Sequence, residues 1–218
     1  MVGQALAAKL AKMGHRVMVG TRSPSETLAR SAPNAAGQPP LSAWLQENPA
    51  VHLGTYAEAA QLGAMVINAT NGMGSLAALH QAGAANLSGK ILIDIANPLD
   101  FSRGMPPSLS VSNTDSLAEQ IQAAFPETRV VKTLNTVTAA IMVAPQLLAN
   151  GEHTIFVSGN DPAARAQVSD WLKDWFGWKH ILDLGDITSA RGVEMYLPLW
   201  LRLWGACGTP MLNVRIVT

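Results

Sequence analysis

Cysteine occurs once in the 218 residues, at Cys207. A single thiol excludes an internal disulfide framework and a thiolate metal cluster, and it fits a reducing compartment, so a cytoplasmic protein is expected. Charge is also scarce: 14% of residues are Asp, Glu, Lys or Arg, and fifteen basic side chains cancel fifteen acidic ones. With no basic run and no acidic tail, nucleic acid is not an expected partner. The longest apolar stretch, Met195 to Trp204, contains Pro198 and Arg202 and falls short of the roughly 20 residues of a membrane span. The first ten residues lack the apolar core and cleavage site of a secretory signal. The chain reads as soluble, with no membrane partner.

Several reaction chemistries are missing too. The five histidines, at 15, 52, 80, 153 and 180, fall one per element with no His-x-x-x-His spacing, so no metal site is expected. No G-x-S-x-G elbow is present, which excludes a serine hydrolase of the usual α/β type. Cys207, in an apolar stretch between glycines, reads as a small packed hydrophobe and not as a nucleophile. No residue stands out as a general acid or base.

What is there is alternation. Helical spacing from Gly3 to Met13 stops at Gly14 and gives way to an apolar strand, Val17 to Gly20, with Thr21, Arg22 and Ser23 at its tip. A Ser, Pro, Asn and Gly-rich segment, Ser23 to Pro49, follows and is expected to loop over a cofactor edge, with short helical pieces near 26–30 and 41–46. Strand and helix signals then alternate: strands at 51–53, 64–70, 90–95, 129–134, 153–158 and 180–184; helices at 55–62, 75–84, 116–124 and 162–176, with Thr55 and Asp161 as N-caps. Continuous apolar strands between helices predict a doubly wound, mostly parallel α/β sheet of seven or eight strands. Residues 1–185 form this nucleotide-binding unit. Residues 186–218 form a C-terminal segment whose helix, over 186–204, has almost no polar face, so it is expected to be buried on most sides and kinked at Pro198.

In such sheets ligands sit outside the carboxyl ends of the strands. The opening Met1-Val2-Gly3 reads as the end of a G-x-G-x-x-G phosphate loop entering its helix, where free amides attract a pyrophosphate; a glycine that only packs the helix is the plainer alternative. A strand tip of Thr-Arg-Ser, with a cation and two hydroxyls where NAD enzymes carry Asp or Glu, suits the 2′-phosphate of NADP, although Arg22 could equally be a solvated charge. Asn68, Thr70, Asn97 and Asn135 lie at three successive strand ends. They suit ribose and carboxamide groups, or else act as turn formers.

These blocks resemble a family. G-x-x-x-x-x-K-L-x-x-x-G-H-x-V-x-V-G-T-R at Gly3 to Arg22, D-I-A-N-P at Asp94 to Pro98, V-V-K-T-L-N-T at Val130 to Thr136 and P-M-L-N-V-R-I-V at Pro210 to Val217 are similar to the deazaflavin (coenzyme factor 420)-dependent NADP oxidoreductases. These are Rossmann proteins related to the NADPH-binding domain of membrane ferric reductases. The resemblance implies hydride transfer between NADP(H) and a deazaflavin, FMN or FAD ring. It assigns Met1, Val2 and Gly3 to the pyrophosphate, Thr21, Arg22 and Ser23 to the 2′-phosphate, Asn68, Ala69, Thr70, Asn97 and Pro98 to the ribose side, and Asn135 to the nicotinamide. It further implies a homodimer through the C-terminal helix, which would also help build the acceptor pocket. An NADP-linked reductase of a small imine, ketone or hydroxy acid, and a non-catalytic NADP sensor, are the alternatives. Two departures stand out: the family's first strand and G-x-G lie ahead of the residues seen here, and Asn71-Gly72-Met73-Gly74 replaces a bulkier apolar turn.

Overall fold

The computed structural model describes residues 1–33, 37 and 39–218; the part of the expected cofactor-edge loop at 34–36 and 38 lies outside them. Strands are β1 (Val17–Thr21), β2 (Val51–Thr55), β3 (Met65–Asn68), β4 (Ile91–Asp94), a short antiparallel ribbon of β5 (Leu99–Asp100) with β6 (Ser108–Leu109), β7 (Arg129–Thr133), β8 (Thr154–Ser158) and β9 (His180–Asp183). Helices are α1 (Val2–Lys12), α2 (Pro24–Ala29), α3 (Leu41–Glu47), α4 (Tyr56–Leu62), α5 (Gly72–Ala82), α6 (Ala84–Leu87), α7 (Leu117–Ala124), α8 (Ala139–Val143), α9 (Pro162–Trp171) and α10 (Ala190–Cys207).

The main sheet runs β3-β4-β7-β8-β9, parallel except for the β7–β8 pair. The strand alternation expected from the sequence is present, but not as one sheet: β1 and β2 pair in parallel as a separate two-stranded unit. No described strand bridges β1 and β3, so their facing edges remain apart.

Both faces of the main sheet are covered, as its apolar strands require. Ile91 and Ile93 of β4 and Val131 of β7 pack with Leu6 and Leu10 of α1, Ile141 of α8 and Val168 of α9. The alternate residues Leu92 and Val130 pack on the other face with Leu79 of α5, Leu117 and Ile121 of α7 and Ala190 of α10. Each fully buried side chain of this size contributes about 1.5–3 kcal/mol, so these two layers dominate stability. Helix starts follow the sequence signals: Thr55 accepts from the Glu58 amide in a capping box, and Asp161 accepts from the Ala164 amide.

Further expectations need correction. The helix expected over 162–176 is α-helical only to Trp171, and a π-helical turn, Leu172–Phe176, completes it. The C-terminal helix starts at Ala190, after a short 3₁₀ turn capped by Asp186, and passes through Pro198 without a break. Proline costs one amide donor there, yet its ring holds a helical φ, so the helix continues. Nor is this helix buried on most sides: Val193, Glu194, Leu197 and Trp200 face inward, while Met195, Leu199 and Trp204 are exposed, and Cys207 is exposed at its end rather than packed. An amphipathic helix of apolar residues on both faces buries only the one that meets the sheet. Among the described residues no helix is long and apolar enough to cross a membrane.

Candidate functional site at the carboxyl edge of the sheet

Three strand ends meet in one polar network. Asn68, the last residue of β3, is buried; its Nδ2 donates to Asp94 Oδ1 at 2.8 Å and to Ser75 Oγ at 3.1 Å. Thr70 Oγ1 donates to Asn68 Oδ1 at 2.6 Å and shares a 2.9 Å bond with Ser75 Oγ. Thus Asn68 is saturated inside the protein, and it fixes the hydroxyl of the more exposed Thr70.

Asp94, at the end of β4, is fully buried and would be costly alone. Lys132 of β7, also fully buried, donates to Asp94 Oδ2 at 2.8 Å, to the Ala96 carbonyl and to Glu194 Oε1 at 2.8 Å. Glu194 of α10 also accepts the Leu117 amide at 2.8 Å and the Ala118 amide at 3.2 Å, so its carboxylate meets the positive start of α7. Burial pushes the Glu194 carboxyl above its ordinary range against the pull of Lys132. Burial disfavours the Lys132 ammonium as well, but Asp94 and Glu194 outweigh it and hold the proton more firmly than usual.

One residue further out, Asn97 and Asn135 are joined. Asn135 Nδ2 donates to Asn97 Oδ1 and to the Val193 carbonyl of α10, each at 3.0 Å, and Asn97 Nδ2 donates to the Asn135 carbonyl at 2.9 Å. Pro98 is buried beside them. Gly72, the first residue of α5, is pressed against the backbone of Asn97 so closely that a Cβ would run into its carbonyl. The Asn71-Gly72-Met73-Gly74 turn is therefore a helix start, capped by Asn71 on the Met73 amide, that seats α5 on the site. Thr136 Oγ1, next to Asn135, and Tyr196 Oη of α10 are buried with no hydrogen-bonding partner among the described residues.

The remaining nominated residues sit along the same edge. Met1, Val2, Gly3 and Ala69 are near one another: a Cβ at Gly3 would meet Ala69 Cβ at an ordinary 3.5 Å, so packing against the protein does not by itself demand glycine there. Thr21 Oγ1 shares a 2.9 Å bond with Thr27 Oγ1, and Ser23 caps α2 by accepting from the Glu26 amide. Arg22 between them is exposed, with no ion pair among the described residues. The sequence reading missed Asp94, Lys132 and Glu194. The signal was available in the first two, as charged residues inside apolar runs that must be paired if buried.

Residues 1–98 match the family model described as NADP oxidoreductase, coenzyme F420-dependent. A crystal structure at 1.70 Å of a proposed F420-dependent NADP reductase from Arthrobacter sp. FB24 is 56% identical, with a TM-score of 0.94, over 100% of this chain and 95% of that one. Metalloreductase STEAP3 of Rattus norvegicus is 32% identical over 122 residues, which is 54% of this chain and 22% of that protein; the chain thus spans about a fifth of the length of the curated relatives it matches. A reductive aminase from Aspergillus terreus, solved with NADPH and ethyl levulinate, shares the fold at 18% identity and a TM-score of 0.59, over 95% of this chain and 59% of that one.

Proposed function

Because the chain belongs to the family of coenzyme F420-dependent NADP oxidoreductases, we propose that it transfers hydride between NADP(H) and the ring of a deazaflavin or flavin. The observation that carries the acceptor class is the state of the ionisable groups at the carboxyl edge. Asp94 and Glu194 are buried and bonded to the buried Lys132 between them, and the groups nearer the surface are the amide of Asn97 and the hydroxyl of Thr70, with the Asn135 amide buried beside them. None of these amides and hydroxyls exchanges a proton near neutral pH, and burial raises the Tyr196 hydroxyl further above its ordinary value. Reduction of a ketone or imine calls for a positioned proton donor, whereas hydride passage between two flat rings calls mainly for alignment.

The residues present suit a pyridine dinucleotide. NADPH, when bound, supplies the hydride from its reduced ring, with any accompanying proton of the acceptor coming from solvent. Met1, Val2 and Gly3 at the start of α1 face the pyrophosphate in this reading, and the exposed Arg22 between Thr21 and Ser23 takes the 2′-phosphate. Ala69, Thr70, Asn97 and Pro98 flank the ribose, with Asn68 orienting Thr70. Asn135 orients the carboxamide end.

The exposed apolar side chains of α10, Met195, Leu199 and Trp204, support a homodimer contact; sedimentation velocity checks it, and a monomer at every concentration would remove it. Stopped-flow mixing of the protein and NADPH with oxidised deazaflavin coenzyme, FMN or FAD tests the reaction. Bleaching of one ring with matching loss of NADPH is expected. Binding of NADPH with no ring reduced would favour the sensor alternative instead.

A further inference from the structure

The contacts of Asp94, Lys132 and Glu194 fix the charge of this buried trio. Every bond the two carboxyls make is one they accept. Asp94 Oδ1 accepts from Asn68 Nδ2 at 2.8 Å and from the Ala96 amide at 3.2 Å, and its Oδ2 accepts from Lys132 Nζ at 2.8 Å. Glu194 accepts from the Leu117 and Ala118 amides and, at 2.8 Å, from Lys132 Nζ. That is the pattern of two carboxylates. Lys132 uses three protons, on Asp94, Glu194 and the Ala96 carbonyl, as an ammonium does. Two carboxylates against one ammonium leave a net charge of −1.

The surroundings offset only part of it. The start of α7, at the Leu117 and Ala118 amides, presents about half a positive charge to Glu194. Arg191, three residues before Glu194, is engaged by Glu119 instead, its Nε 2.8 Å from Oε2. A buried charge without a full partner is costly, and because the trio is out of contact with solvent its field is weakly screened. A cation brought to the carboxyl edge supplies what the trio lacks.

Position decides which cation that is. Asp94 and Lys132 stand three residues before Asn97 and Asn135, a reach of about 10 Å at most, and Glu194 follows Val193, whose carbonyl holds Asn135. Ala96 is gripped at its amide by Asp94 and at its carbonyl by Lys132, so the turn that carries Asn97 is fixed to the charges themselves. In the hydride reading, on which this inference rests, that level of the edge receives the nicotinamide and its ribose. The reduced ring is neutral; after its hydride, with both electrons, has passed to the acceptor, the ring is a cation. We propose that the trio of Asp94, Lys132 and Glu194 is a specificity device for the oxidation state of the nucleotide, its net negative charge favouring the cationic ring of NADP⁺ over the neutral ring of NADPH.

Calorimetric titration with NADP⁺ and with NADPH, on the unmodified chain and on Glu194→Gln and Asp94→Asn, is the test. Each variant removes one negative charge and keeps Lys132. The ratio of the two dissociation constants is the readout, because a variant that only loosens the site weakens both nucleotides together. Each variant is expected to weaken NADP⁺ relative to NADPH by about tenfold. Asn97→Asp adds a negative charge at a half-buried position outside the trio, so it reads the same field even where the buried variants fail to fold, and it is expected to move the ratio the other way. Equal weakening of both nucleotides, or a ratio unmoved in every variant that folds, overturns the proposal. An unmodified chain that binds neither nucleotide overturns the hydride reading with it, whereas binding of both with an unmoved ratio removes only the role of the trio.

Discussion

Asn97 and Asn135 grip each other across the carboxyl ends of two neighbouring strands, side-chain amide to side-chain carbonyl in one direction at 3.0 Å and side-chain amide to backbone carbonyl in the other at 2.9 Å. Because Asn135 also reaches the Val193 carbonyl, one side chain ties β7, the turn after β4 and α10 together. Asn135→Ala should leave the Asn97 and Val193 oxygens short of a donor and cost about 1–3 kcal/mol. Urea unfolding checks this, with turnover expected to fall further than stability alone explains.

Lys132 is the only cation facing the buried Asp94 and Glu194 among the described residues. Lys132→Met should leave two carboxylates without compensation and destabilise the fold by about 3–5 kcal/mol. Removing one of the two negative charges with Glu194→Gln in the same chain should recover part of the loss, which a double-mutant cycle would measure. Additive losses would mean that the pair is not coupled.

A methyl group at Gly72 has no room beside the Asn97 backbone. Gly72→Ala should therefore push α5 away from the strand ends and cost about 1–3 kcal/mol as an overpacking change. Gly74→Ala, whose added Cβ would meet nothing nearby, should be neutral or stabilising by helix propensity. Thermal unfolding of the two variants side by side decides it.

Arg22→Ala should weaken NADPH by about 10- to 100-fold, the loss of one charge-assisted bond, and leave NADH nearly unchanged. Fluorescence titration with both nucleotides reads the difference. Equal losses would remove Arg22 from the 2′-phosphate.

Away from the site, hydrogen bonds from Lys179 and His180 lower the Glu152 carboxyl from 4.5 to about 2. A depressed carboxylate stabilises above its unfolded value and loses that contribution as pH falls toward its folded one. Its effect should therefore be present above about pH 4.5 and fade toward pH 2. Carboxyl NMR titration should find Glu152 still ionised near pH 3, and Lys179→Ala should raise its midpoint.

Much of the architecture is determined by sequence alone. Apolar runs such as Ile91 to Ile93 and Val130 to Val131 can be satisfied only by burial on both faces, and caps such as Thr55 and Asp161 act within a single turn, so strands, helix starts and the carboxyl edge are local properties. The gathering of Asn68, Thr70, Asn97 and Asn135 at that edge follows from the parallel order. Tertiary structure decided the rest, because it depends on partners far apart in the chain. That Lys132 pairs with both Asp94 and Glu194, the latter 62 residues further along the chain, is visible only once α10 crosses the sheet. That Asn68 points inward and Arg22 outward depends on which bonds are already taken. The separation of β1 and β2 from the main sheet is likewise a matter of which edges meet, since periodicity fixes the faces of a strand and not its neighbours.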